Sequence, residues 1–185
     1  GMGGLSGMVM GSVSASVVSH ASCPVVVVRE DNHVTDSTKY GPVVVGVDGS
    51  EVSQKATAYA FREAQARGAA LIAVHTWMDM QVQASLAGLS AAQSEWADIE
   101  KEQSELLTEN LKEPREEYPE VEVKKLITRD RPVSALTEAA EGAQLLVVGS
   151  HGRGGFKGML LGSTSRALLQ SAPCPMMVVR PDEES

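Results

Sequence analysis

The residues predict an α/β protein, an open, doubly wound parallel sheet with helices on both faces. Three observations carry that expectation. Short, continuously apolar runs such as VVVGV (43–47) and QLLVVG (144–149) alternate along the chain with segments of helical periodicity. A strand that is apolar along its whole length belongs in a sheet covered on both faces, because alternate residues point in opposite directions and both sets must be buried. The runs are punctuated by the residues that start and stop helices: Asp48-Gly-Ser after the first, Pro132 after the third, and Gly142 before the fourth.

In order, VVVGV is the first strand and residues 51–67 a helix with Ala56, Ala60 and Ala64 on one stripe. Residues 69–76 (AALIAVHT) form the second strand, and 77–90 reads as an irregular crossover. A charged helix over 91–112 carries Ala92, Trp96, Ile99, Gln103, Leu106 and Leu107 as a mostly apolar stripe. The third strand, 121–127, alternates as a sheet edge does. Pro132 opens a helix that ends near Glu141, residues 144–149 form the fourth strand, and the helix from Gly162 to Ser171 and the strand Met176–Arg180 complete the unit. Ligands of such sheets bind beyond the carboxyl ends of the strands, where the strand order reverses.

An internal repeat precedes this unit. Residues 1–29 align without a gap on residues 152–180, with 14 of 29 positions identical, and the Gly-Ser, Cys-Pro and Val-Val-Arg groups keep register. Each copy reads as a Gly-rich loop, a helix, a Cys-Pro turn and a Val-rich strand. The expected organisation is therefore 1–29 as the tail of a first domain, 30–40 as a polar linker, and 41–181 as a complete domain.

Composition narrows the function. Sixteen basic against 24 acidic side chains give a formal charge of -8, which opposes attraction to nucleic acid or anionic membranes. Aromatic residues are 4%, too few for base-stacking platforms. No apolar run approaches the roughly 20 residues that cross a bilayer. Cys23 and Cys174 make neither a disulfide framework nor a metal-spaced pair, so a cytoplasmic setting is expected.

The strongest site candidate follows the fourth strand. Gly149, Gly152, Gly154, Gly155, Gly158 and Gly162 put six glycines into fourteen residues, so backbone N–H groups can approach an anion closely. Gly162-Ser163 then opens a helix whose free N–H groups and positive dipole end suit phosphate oxygens, with hydroxyls from Ser163 and Thr164 and positive charge from Arg153, Lys157 and Arg166. Helix capping alone is the competing role for Ser163. Neither GxxxxGK[ST] nor GxGxxG is present. Asp48, at the carboxyl end of the first strand, suits ribose hydroxyls or an indirect contact to a magnesium ion; its alternative is a cap of the following helix. His75 either lines the same crevice or is a satisfied buried histidine. No nucleophile elbow, HExxH or spaced metal set appears, and Ser150-His151 adjacency does not build a dyad.

With these residues in place the chain resembles the universal stress protein family, in particular its tandem-domain actinobacterial members. The family's nucleotide motif, G-x2-G-x9-G-[ST], is matched by Gly149, Gly152, Gly162 and Ser163, with Thr164 at a further phosphate position. VDGS matches the family's first strand and the C-terminal C-P-x-x-V-V its last. The resemblance implies a three-layer, Rossmann-like sheet of five parallel strands ordered 3-2-1-4-5. It implies ATP with Mg2+ or Mn2+, held by Gly46, Val47 and Asp48 on one side, Val74 and His75 on another, and Val148 with the glycine loop on the third. It further implies a regulatory role in stress, dormancy or growth control, with at most very slow ATP hydrolysis; a nucleotide-free interaction module is the alternative. A homodimer with residues 1–29 in its interface is expected, and the strands Val25–Val28 and Met176–Arg180, each otherwise an unpaired edge, are expected to pair either within one chain or across to a second.

Overall fold

The computed structural model describes residues 11–29, 32, 40–77, 93–154 and 160–182, with residues 12 and 93–97 in backbone only. Among them, six strands form one sheet: β1 (Val25–Val27), β2 (Val43–Gly46), β3 (Leu71–Thr76), β4 (Val123–Thr128), β5 (Leu145–Gly149) and β6 (Met176–Val179). The helices are α1 (Ser12–His20), α2 (Glu51–Arg67), α3 (Gln93–Glu117), α4 (Pro132–Ala139) and α5 (Ser163–Ser171).

Side chains alternate along the central strands between two cores, and this makes three layers. Val44, Val74, Leu146 and Val148 face α4 and α5, packing with Leu136, Ala140, Leu168 and Leu169. Val43, Val45, Leu145 and Val147 face the other way, onto Ala56, Ala60, Phe61 and Ala64 of α2 and Leu107 and Leu111 of α3. The alanine stripe brings α2 close to the sheet, and each of those three alanines is fully buried.

The sheet corrects one expectation. Its order is β1-β6-β5-β2-β3-β4, six strands instead of five, and it is mixed instead of wholly parallel. Within residues 41–181 the strands do run parallel in the order third, second, first, fourth, fifth. The sixth strand, β1, is antiparallel to β6, because the unpaired backbone of β6 accepts a strand from its own chain. Val25 pairs with Val178, Val26 with Met177 and Val27 with Met176. Since Val25, Val26 and Val27 align in the repeat with Met176, Met177 and Val178, this register is a local twofold centred on the Val26–Met177 pair.

The terminal arginines follow the same symmetry. Arg180 Nη1 donates to the carbonyl of Ala21 at the end of α1 (3.2 Å), and Arg29 Nη1 donates to the carbonyl of Gln170 in the last turn of α5. A cation at a helix carboxyl end satisfies orphan carbonyls and complements the dipole. Val18 of α1 is buried in the same core as Leu161, Leu168 and Leu169, so the first repeat is seated on the second.

One boundary also differs from expectation. α3 runs on to Glu117 through Pro114, five residues past the expected end, so proline did not stop it. The helix expected in the first copy is Ser12–His20 among the described residues. The crossover at 77–90 lies outside them beyond Trp77.

Candidate functional site

The order of the strands reverses between β2 and β5, and their carboxyl ends open into a cavity of about 790 Å³. Gly46, Val47 and Asp48 line it from β2, Val74 and His75 from β3, and Val148 and Gly149 from β5. Gly152, Arg153 and Gly154 line it from the loop after β5, and Gly162, Ser163 and Thr164 from the start of α5. Topology thus gathers segments more than a hundred residues apart in the sequence. Gly155, Gly158 and Lys157 lie outside the described residues. Arg166 does not line the cavity; its amide bonds Gly162 O at 2.9 Å as part of the helix.

Two of the helices that begin at this end of the sheet, α2 and α5, begin differently. At α2, Ser50 Oγ accepts from Ser53 N at 3.2 Å and Glu51 sits in the first turn, so the protein itself answers the free N–H groups and the dipole. At α5, Gly162 provides no side-chain cap and no acidic residue lies in the first turn. Gly162 N donates to Ser150 O (2.7 Å), and Ser165 Oγ donates to Gly149 O (2.7 Å); these two bonds hold the helix start against the tip of β5. The positive end of α5 therefore meets the cavity with no acidic residue in its own first turn.

Asp48 fills its alternative role and a second one as well. Its Oδ1 accepts from Ser50 N (2.9 Å) and Ser50 Oγ (2.7 Å), a turn that caps α2. Its Oδ2 accepts from Arg153 N at 3.0 Å, tying the tip of β2 to the loop after β5. This gives Gly152 a reason the sequence did not supply: a Cβ there would lie 2.2 Å from Asp48 Oδ2. Gly154 is different, since a Cβ on it meets nothing within 4 Å. Among the described residues no group of three or more His, Cys, Asp or Glu is placed to hold a metal ion.

His75 is both lining and buried, 5% exposed, with Nδ1 2.6 Å from Val47 O and Nε2 2.9 Å from Gln103 Oε1. Ser150 Oγ lies 3.0 Å from His151 Nδ1, yet Ser150 has no exposed surface and only His151 faces the cavity. The charged tip after β4 sends Arg129 over the ring of Trp77, 4.8 Å from its centroid, and contributes Pro132 to the lining.

The sequence profile of the universal stress protein family matches residues 1–29 and 39–180. The chain belongs to that family. Universal stress protein Rv2005c of Mycobacterium tuberculosis is 46% identical over 180 residues, covering 97% of this chain and 59% of that relative. The chain thus spans a little over half of the relative's length. Among solved structures, universal stress protein UspA from Lactobacillus plantarum matches 76% of this chain and 98% of its own, with a TM-score of 0.62 at 23% identity, a likeness of fold. A universal stress protein in complex with cAMP matches 76% of this chain and 96% of its own, with a TM-score of 0.52 at 27% identity.

Several lining residues of this universal stress protein were not anticipated. Ser53 Oγ accepts from Asp48 N at 3.0 Å, and Leu136, Trp77 and Gln103 complete the walls. Gln103 carried a signal: a polar residue in an otherwise apolar helical stripe. Leu136 was read only as part of the helix that Pro132 opens, and Trp77 as the first residue of the irregular crossover.

Proposed function

We propose that this chain binds ATP in the cavity at the carboxyl ends of β2, β3 and β5, and that it acts as a nucleotide-dependent regulator in stress response, dormancy or growth control. The observation that carries the reading is the uncapped, acid-free start of α5 facing the glycine turn, an arrangement suited to phosphate. The cavity volume is in the range of small-molecule sites. The family member solved with cAMP adds a nucleotide precedent. In this reading Gly149, Gly152, Arg153, Gly154, Gly162, Ser163 and Thr164 surround the phosphates, Asp48 takes the ribose, and Val47, Val74, His75 and Val148 take the base. Asp48 is the one carboxylate in the described lining, so a magnesium or manganese ion would draw its other ligands from phosphate oxygens and water.

The test is mass spectrometry of nucleotide released from freshly purified chain, with calorimetric titration of ATP with and without magnesium. A stoichiometric adenine nucleotide supports the proposal, and no binding under either condition overturns it. Gly154→Ala is the cleaner mutational probe, because Gly152→Val would collide with Asp48. We expect Gly154→Ala to leave folding unchanged and to weaken ATP by about tenfold, about 1.4 kcal/mol.

A second reading, an interaction module of the same fold that takes no nucleotide, is favoured by one contact: Asp48 already spends both oxygens on protein donors. Asp48→Ala separates the two. If Asp48 serves the ligand, affinity falls by roughly 1.5–3 kcal/mol; if it serves only the loop, stability falls and any residual affinity is unchanged.

Residues 1–29 are proposed to be the end of a first domain of the same family, joined through 30–40 to the complete domain 41–181. The strand contact expected within a chain or across to a second is made within one chain, between its two repeats. Light scattering that reports two chains per particle at all dilutions would support an additional contact between chains.

A further inference from the structure

We propose that Gln103 selects the base: the end of its carboxamide turned away from His75 accepts a hydrogen bond from a 6-amino group, favouring adenine over 6-oxopurines. This rests on the nucleotide reading above and adds the choice of base to it.

Gln103 projects from α3, is 1% exposed, and lines the cavity beside His75 and Trp77. One end of its amide meets His75 Nε2 at 2.9 Å, while the other is buried with no partner among the described residues. The neighbours decide which end is oxygen and which is nitrogen. The carbonyl of Val47 can only accept, so its 2.6 Å contact requires the proton of His75 to be on Nδ1. With Oε1 facing Nε2, as the two atoms stand, the ring must carry a second proton and hence a charge on a 5% exposed side chain. Turning the amide end for end removes that charge. Its NH2 then donates to the lone pair of a neutral His75 Nε2, and its oxygen takes the buried position without a partner.

A buried acceptor without a donor is costly, and a ligand that brings an N–H relieves it. The 6-amino group of adenine does so, whereas the 6-oxo group of hypoxanthine or guanine sets oxygen against oxygen. The same histidine proton holds the carbonyl of Val47, the residue before Asp48, so base selection and the ribose side of the site share one rigid chain of hydrogen bonds.

The experiment titrates the full chain with ATP and with ITP, which differs at ring position 6 and in the N1 proton that accompanies the change. The wild type should prefer ATP by about tenfold or more. Gln103→Met, which has the length but no acceptor, should bring the ratio close to one mainly by losing ATP affinity. Gln103→Glu, which keeps an oxygen, should retain the preference. Nitrogen-15 spectra should find neutral His75 as the Nδ1–H tautomer. Equal binding of ATP and ITP by the wild type, or an unchanged ratio in Gln103→Met, overturns base selection and leaves nucleotide binding standing. A chain that binds neither nucleotide overturns both.

Discussion

The two copies of the repeat place nearly the same residues in different surroundings. In the second copy Leu168 and Val179 are fully buried and Met177 is 6% exposed. Their counterparts Val17, Val28 and Val26 are 49%, 65% and 46% exposed. The second copy has β5 and α4 packed against it, whereas among the described residues the first packs only one side, through β1 on β6 and Val18 in the core beside α5. Hydrophobicity therefore specified a strand and a helix in both places, and burial depended on the neighbours available.

The largest contrast should appear in stability. Leu168→Ala empties a site with no exposed surface and should cost about 2–5 kcal/mol, whereas Val17→Ala should cost less than about 1 kcal/mol. Denaturant midpoints measure both, and equal losses would mean that α1 is packed as tightly as α5.

A second contrast concerns the helix starts. Ser163→Asp puts a negative charge in the first turn of α5; it should stabilise that helix by about 0.3–1 kcal/mol while weakening ATP at least tenfold, about 1.4 kcal/mol. Ser12→Asp, its equivalent in the first copy, should leave ATP affinity unchanged. Calorimetry on both variants breaks the comparison if they behave alike.

The cysteines sharpen it chemically. Burial pushes the Cys174 thiol up from 9.0 to about 11, against a smaller opposing effect of the backbone hydrogen bond to Leu146, whereas Cys23 is exposed. Alkylation of the native chain at pH 8 should label Cys23 and spare Cys174. The linkage has a definite sign. The folded state holds the Cys174 proton more tightly than the unfolded chain, so its contribution to stability is complete below about pH 9 and is lost as the pH rises toward 11. Smallest of all, Arg180→Met and Arg29→Met each remove a cation from the end of the other copy's helix and should cost about 0.3–1 kcal/mol in thermal melts at low salt, with less difference at high salt.

Much of this fold was legible because its signals are local. Continuous apolar runs marked the inner strands, Asp48-Gly-Ser opened α2, and the glycine run with Gly162-Ser163 marked the turn after β5. Asp48 and His75 followed from topology once the strands were placed, whereas Gly46, Val47, Val74 and Val148 came with the family resemblance. What remained unread depended on contacts between distant segments. Nothing in the sequence near Gly152 says that an aspartate 104 positions earlier, Asp48, occupies the space a side chain would need. Nor does a glutamine within a charged helix declare that it will meet a histidine 28 residues before it. The antiparallel β1 was suggested by its resemblance to β6, but pairing within the chain follows from reach and register rather than from residue type.

That pairing has a consequence for concentration. Two chains that share a sheet edge separate on dilution, since each must find the other in solution. When both strands belong to one chain, the partner's concentration is fixed by the connection between them, in the millimolar range for a short flexible one. The β1–β6 junction, with its paired arginines, should therefore persist at nanomolar protein, and occupancy of the β6 edge becomes a property of the chain rather than of its abundance.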